Sequence, residues 1–300
     1  MPAVSPSDPD TLVGARSTVA DALALGTTAL AAAGVEAARA DAEWLLAGVL
    51  DLSRTALGLQ VRRALDPPFD ARYAAALRRR MAREPLQHIV GTQPFRHVTV
   101  RVTGDALVPR PETEVLAGWA LELLPAPPRR PVVIDLGTGS GCIACAIAAE
   151  RADAEVIAID TSPEAVALAQ DNVVALELAT RVHVGVSDMF GALGAIEVDV
   201  IVSNPPYLPT DLNDTLAPEV SRHDPRLALD GGPDGLDVIR RLVREAPARL
   251  AAGGALVLET AGGAQVREVV ALLEGAGLVG VETRADLAGV ERFVAARRAA

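Results

Sequence analysis

Between Val132 and Glu259 the chain alternates short apolar runs with longer segments of helical spacing. Val132–Asp135, Val156–Asp160, Val182–Val186, Val198–Val202 and Ala255–Glu259 read as strands. Gly141–Arg151, Pro163–Leu178, Gly235–Leu250 and Ala264–Ala276 read as helices. Strands that are apolar on successive residues are buried on both faces, and helices between them make the connections crossovers. The pattern restricts this region to an α/β fold around a mostly parallel sheet. Val279–Thr283 and Arg292–Ala296 are two further strand candidates.

Ligands in such folds collect at the carboxyl ends of the strands, and the informative polar residues sit there. The first strand runs into Asp135-Leu136-Gly137-Thr138-Gly139-Ser140-Gly141, where glycines allow a tight turn and close backbone approach. Such a turn could serve NAD, a flavin or S-adenosylmethionine, and reading on from Gly139 to Ala144 does not separate them. Asp160 closes the second strand and can accept two ribose hydroxyls. Asp188 closes the third and can accept an adenine amino group, while Asp135 falls near the amino group of a methionine moiety, directly or through water. Three carboxylates without a basic residue at these strand ends suit a zwitterionic sulfonium better than a pyrophosphate.

The fourth strand delivers Ser203-Asn204-Pro205-Pro206-Tyr207. Two successive prolines stiffen the turn, since each fixes φ and neither has an N–H. Backbone carbonyls, the Asn204 side chain and the Tyr207 ring then form an acceptor site for a planar NH₂ group. With a methyl donor beside it, this is a site for methylating an amide or exocyclic amine nitrogen. The Asn204 oxygen and the Pro205 carbonyl would hold the two N–H groups, so that orientation and preorganised electrostatics drive transfer.

The rest of the chain is of a different kind. Residues 1–10 are rich in Pro, Ser and Asp and read as a disordered tail. Residues 11–90 carry helical periodicity punctuated by Gly34, Asp51 and Pro67-Pro68. Residues 91–108 change to period two, with Val98, Val100 and Val102 on one face, His97 on the other, and a turn at Gly104-Asp105. This reads as a β-hairpin joining the helical domain to a catalytic domain at 109–300. Cys142 and Cys145 have C-x-x-C spacing but lie in an apolar helical run, where Cys packs as a small hydrophobe. The four His are scattered and form no local metal pattern.

The formal charge is −11, and all 28 basic residues are Arg. That balance argues against broad attraction to nucleic acid, although Arg78, Arg79, Arg80 and Arg83 could form a local basic patch. No apolar stretch is long enough to span a bilayer, and the first ten residues lack the features of a signal peptide. A cytoplasmic monomer without metal is expected.

Asn204–Tyr207, together with Arg83-Glu84-Pro85-Leu86-Gln87-His88-Ile89, Val108-Pro109-Arg110-Pro111-Glu112-Thr113-Glu114, Asp230–Leu236 and Asp286–Arg292, resembles the bacterial protein-(glutamine-N5) methyltransferases that modify peptide chain release factors. The resemblance runs from about Leu12 to Arg297. It implies a Rossmann-like class I methyltransferase sheet behind an N-terminal helical substrate-recognition bundle. It further implies S-adenosylmethionine as donor, S-adenosylhomocysteine as product, and a release factor as partner whose Gly-Gly-Gln loop inserts its glutamine at the turn. Carried over residue by residue, Asn204 and Pro205 hold the amide, and Pro206 and Tyr207 shape the slot. Gly137, Thr138, Gly139, Ser140 and Gly141 wrap the methionine part, Asp160 holds ribose, and Asp188 with Met189 flanks adenine. Met189 stands where several members have Trp, Asp224-Pro225 where Glu-Pro is common, and His88 where Tyr is familiar. Arg110, bracketed by Pro109 and Pro111, either supports the site or forms a structural salt bridge. An adenine-N6 DNA or RNA methyltransferase shares the Asn-Pro-Pro-Tyr turn and is the main rival. A noncatalytic cofactor-binding module is a further alternative.

Overall fold

The structure is a computed structural model that describes residues 8–12, 17–65 and 68–300. Helices α1 (Val19–Ala32), α2 (Ala38–Leu50), α3 (Arg54–Leu59), α4 (Phe69–Met81) and α5 (Leu86–Val90) come first. A hairpin follows, β1 (Thr92–Phe95) and β2 (Val98–Arg101), then α6 (Thr113–Leu123). The chain continues through β3 (Val132–Leu136), α7 (Cys142–Glu150), β4 (Glu155–Asp160), α8 (Pro163–Ala175), β5 (Val182–Val186) and β6 (Val198–Ser203). Last come α9 (Pro218–Ser221), α10 (Asp237–Glu245), β7 (Leu250–Glu259), α11 (Ala264–Gly275), β8 (Val279–Ala285) and β9 (Glu291–Arg297). The chain divides into two compact units, one helical through Gly91 with Ala217–His223 added, the other comprising Thr92–Leu216 and Asp224–Ala300.

In the second unit seven strands form one sheet in the order β5-β4-β3-β6-β7-β9-β8. Pairings from β5 through β7 are parallel, and β9 runs antiparallel to both of its neighbours. Successive strand residues serve opposite faces. Val133, Val200, Val202 and Val257 join one core with α6 and α7, while Ile134, Ile201, Leu256 and Leu258 join another with α10 and α11. All of β6 is buried, which is why it reads as an unbroken apolar run. The order reverses at β3, whose neighbours are β4 and β6. That switch point opens a crevice at the strands' carboxyl ends.

Of the segment expected as a joint at 91–108, residues 92–108 lie within this unit. Phe95, Val98, Val100 and Val102 share a core with α6 and α7. The hairpin turns at Arg96-His97, not only later at Gly104-Asp105, and Arg96 adopts φ 50° there. Arg96 is held by Glu150 at 2.5 and 2.7 Å, which sustains a left-handed conformation at a non-glycine residue. His97 is exposed, as its position opposite the valines requires.

The helical unit has its own core of Val19, Leu30, Leu45, Leu46, Tyr73 and Leu77. Thr18 and Asp21 form a reciprocal capping box at the start of α1. Gly26 is required by contact, since a Cβ there would lie 2.1 Å from the Tyr73 hydroxyl. The expected disordered tail lies outside the described residues up to residue 7, and Pro9–Leu12 form a 3-10 turn. Pro67, in the expected Pro67-Pro68 break, is also outside them.

The arginine cluster is not a basic patch. Arg80 donates to Asp41 at 2.7 Å and Glu219 at 2.9 Å, and Arg83 bonds Glu219 through two nitrogens at 2.7 and 2.8 Å. Arg79 pairs with Glu84 and Arg78 with Asp10. Glu219 is partly buried, which by itself would raise its pKa, but bonds from Arg83, its own backbone and Arg80 hold it down at about 2. These four charges are therefore consumed within the helical unit. Among the described residues no helix is long and apolar enough to cross a membrane.

Candidate active site

A cavity of about 450 Å³ occupies the switch-point crevice. The turn after β3, the ends of β4, β5 and β6, and the segment before α6 line it. Its volume falls in the range of small-molecule sites.

The turn after β3 is tied down from two sides. Gly137 and Thr138 donate to the Ile159 carbonyl at 2.8 and 3.0 Å. Gly139 donates to the Asp160 carboxylate at 2.9 Å, and the other Asp160 oxygen accepts from Ser162 N–H at 3.0 Å. Each Asp160 oxygen keeps a lone pair, and the residue lines the cavity. Gly137 and Gly139 adopt φ 72° and 55°, and no other residue's atoms stand within 4 Å of a Cβ built on Gly137. Gly141, at φ 78°, has a second reason to be glycine: a Cβ would approach Ala169 Cβ at 3.1 Å, so it also serves the packing of α8.

Asp135 does not reach the cavity wall. Its Oδ2 accepts from Thr138 Oγ1 at 2.6 Å and from Ala144 N–H at 3.1 Å. Full burial pushes the carboxyl up to about 7, with the two bonds opposing and the Asp160 charge adding. In the structure Asp135 organises the turn after β3 and the start of α7. This carboxylate also occupies the amino terminus of α7, the place a dinucleotide pyrophosphate needs. Its Oδ1 is buried without a partner among the described residues.

Charge also reaches the cavity from elements other than the strand ends. Basic residues do line the cavity, Arg241 from α10 and Arg110 from the segment before α6. Arg241 bonds Asp188 at 2.6 Å, so Asp188 is an exposed ion-pair member at the rim as well as a lining residue. Arg110 bonds the buried Asp224 at 2.9 Å, making the structural salt bridge one of the two roles open to it. Met189 is buried against Phe190 and Ile134 while still lining the cavity, and its φ of 47° bends the chain there. Cys142 and Cys145 are free and buried, and burial pushes the Cys145 thiol up to about 12.

The Asn-Pro-Pro-Tyr turn follows β6 and faces this cavity through Asn204, Pro205 and Pro206. Asn204 Nδ2 donates to Thr113 Oγ1 at 3.1 Å, Thr113 donates to Glu259 Oε2 at 2.8 Å, and Tyr207 donates to Glu259 Oε1 at 3.2 Å. Glu259 is buried, and burial pushes it up to about 7 against the bonds from Thr113 and Tyr207 and the charge of Arg292. Burial likewise raises the Tyr207 phenol, with the charge of Glu259 adding. The turn's backbone is clamped from behind. Gln265 donates to the Tyr207 carbonyl at 2.9 Å, and Leu208 exchanges backbone bonds with Leu229 and Gly231. A Cβ on Gly235 would lie 2.3 Å from that same carbonyl, and one on Gly231 2.8 Å from the Pro206 carbonyl. The glycines of Asp230–Leu236 are therefore spaced to let two backbones touch.

Comparison with known proteins agrees with this architecture. The family model for the PrmC N-terminal domain matches residues 21–91, and that for the methyltransferase small domain matches 117–219. A release factor glutamine methyltransferase of Cereibacter sphaeroides is 47% identical over 93% of this chain and 98% of its own length. One from Deinococcus radiodurans is 46% identical, again over 93% and 98%. The chain belongs to the release factor glutamine methyltransferase family. Solved structures of lower identity share the fold of the sheet region. A Pyrococcus furiosus methyltransferase has a TM-score of 0.51 at 17% identity, covering 67% of this chain and 89% of its own. A T. thermophilus 16S rRNA N2 G1207 methyltransferase in complex with AdoMet and guanosine has a TM-score of 0.51 at 22% identity, covering 69% and 49%. The fold is that of a Rossmann-like class I methyltransferase preceded by a helical bundle, and such folds bind S-adenosylmethionine.

The sequence pattern alone assigns no role to Thr113 or Glu259. Glu259 carried a signal: an acidic residue ending an apolar strand, as Asp135 and Asp160 do. Gln265 and Arg241 lie on amphipathic helices, where a polar residue reads as solvent-facing.

Proposed function

We propose that this chain transfers a methyl group from S-adenosylmethionine to the side-chain amide nitrogen of the glutamine in the Gly-Gly-Gln loop of peptide chain release factors. The observation that carries the reading is the Asn204 amide at the cavity wall, with its nitrogen occupied by Thr113 and its oxygen left for a ligand. With Glu259 ionised, Thr113 gives its one proton to that carboxylate and accepts from Asn204, which turns the amide oxygen toward the cavity.

The residues present fit the donor. The turn after β3 leaves room at Gly137 that a side chain would fill, Asp160 offers lone pairs for ribose hydroxyls, and Met189 covers an apolar wall. Asp188 and Arg241 would bracket the adenine edge. Asp135 favours a zwitterion over a pyrophosphate by holding the α7 terminus. Bound S-adenosylmethionine supplies an electrophilic methyl on a sulfonium. Asn204 Oδ1 and the Pro205 carbonyl accept the two N–H groups of the acceptor amide, hold its nitrogen in line and favour the positive charge that develops there. Pro206 and Tyr207 confine the planar group, and the proton leaves to solvent after transfer. The helical region, 11–90, would recognise the protein substrate.

Adenine methylation would use the same turn. The pairing of Arg78, Arg79, Arg80 and Arg83 with carboxylates weighs against it, since a nucleic-acid groove needs unpaired positive charge. The test is transfer of labelled methyl to a release factor and to its loop Gln→Ala variant. Label on the first alone supports the reading, and label on both or neither overturns it.

A further inference from the structure

The chain Asn204–Thr113–Glu259–Tyr207 joins the turn after β6, the start of α6 and the end of β7. Asn204 and Thr113 line the cavity, whereas Glu259 lies behind them with 1% of its surface exposed. An asparagine amide is symmetric in shape, so packing cannot tell its oxygen from its nitrogen. Only the direction of the hydrogen bond from behind can. Thr113 transmits that direction, because its single proton points to whichever neighbour is the better acceptor.

We propose that Glu259, acting through Thr113, is a positioning residue that sets the orientation of the Asn204 amide and so admits an N–H₂ acceptor to the site. The ionised carboxylate accepts from Thr113, whose oxygen then accepts from Asn204 Nδ2, leaving Oδ1 toward the cavity. A proton on Glu259 Oε2 reverses the relay: Oε2–H donates to Thr113, Thr113 donates to Asn204 Oδ1, and Nδ2 turns to the cavity. There it meets N–H groups it cannot accept. This inference rests on the methyl-transfer reading for its kinetic arm and on none of it for its spectroscopic arm.

The groups around Glu259 allow the switch near neutral pH. Thr113 and Tyr207 bond it, Arg292 on β9 favours its charged form, and Glu112 at the start of α6 opposes that form. Arg292 is itself shared with Asp286 at 2.7 Å. Burial outweighs these and leaves Glu259 at about 7.

The spectroscopic arm uses the ligand-free chain, with the Asn204 side-chain ¹H–¹⁵N pair assigned by its loss in Asn204→Asp. Its shift should titrate with a midpoint near 7, where the Glu259 carboxyl lies, and stay constant in Thr113→Val and Glu259→Gln. No titration in the wild type, or the same titration in Thr113→Val, overturns the relay whatever the substrate proves to be. In the kinetic arm, the single-turnover rate of methylation of the release factor falls on acidification through the same range. Thr113→Val lowers it by on the order of 10- to 100-fold and abolishes the acid limb, while Thr113→Ser restores both. A Thr113→Val enzyme with an intact acid limb, or Thr113→Ser impaired like Thr113→Val, reduces Thr113 to packing and overturns the proposal. Absence of wild-type transfer counts against the substrate reading alone.

Discussion

Asn204 and Asp160 each satisfy part of the protein's own structure while keeping capacity for a ligand. For Asn204 the division is between its two ends, Nδ2 on Thr113 and Oδ1 at the cavity. Asn204→Ala should keep the fold and most cofactor affinity, because β6 and the prolines hold the turn. It should lower methyl transfer by about 10²- to 10³-fold, the usual effect of removing one preorganised polar group from a transition state. Single-turnover rates beside calorimetric cofactor titration check this, and near-wild-type turnover would refute the role. For Asp160 the division is within each oxygen, since both already take a backbone N–H. Asp160→Ala should weaken S-adenosylmethionine binding by about 1.5–3 kcal/mol per hydrogen bond lost to the charged group. Isothermal titration measures it, and unchanged affinity would place ribose elsewhere.

Helix α7 shows how an element is set by one buried carboxyl. The helix is apolar on every side, from Cys142 to Ala148, and its first turn has no side-chain cap of its own. Asp135 supplies the acceptor from the end of β3. Burial holds its carboxyl at about 7 against an ordinary 3.8, so between these values the folded chain keeps a proton that the unfolded chain has lost. Its contribution to stability is complete below 3.8 and gone once the pH passes about 7. Asp135→Asn keeps an oxygen for Thr138 and Ala144 and never ionises. The melting temperature of this variant, relative to wild type, should therefore rise between about pH 5 and pH 8. Glu259 shifts in the same direction in both proteins and cancels from the difference. A difference that is flat or falling with pH would contradict the burial account of Asp135.

For the molecule as a whole, local pattern and long-range contact divide what can be read from the chain. Apolar runs placed the seven sheet strands, since fully buried β6 and the flanking helices repeat with distinct periods. They could not place β9 between β7 and β8, because periodicity does not name a strand's neighbour. The Asn-Pro-Pro-Tyr turn and the glycines after β3 were readable because their backbone chemistry is local. Thr113 and Glu259 were not, being 146 residues apart in sequence yet 2.8 Å apart at their oxygens. The same holds for Ala217–His223, which groups with the helical unit because Glu219 meets Arg80 and Arg83, 139 and 136 residues away. Asp188 was read as free to meet adenine because Arg241, 53 residues later, gave no sign of reaching it.

Methylation of a single glutamine amide is the reaction we assign to the cavity at the β3–β6 switch point. Its most direct test incubates the full chain and S-adenosylmethionine with an equimolar mixture of a release factor and adenine-containing DNA, followed by mass spectrometry of peptides and nucleosides. One added methyl is expected, on the side-chain nitrogen of the Gly-Gly-Gln glutamine, absent when Asn204→Ala replaces the wild type. Methyladenine with an unmodified release factor would contradict it.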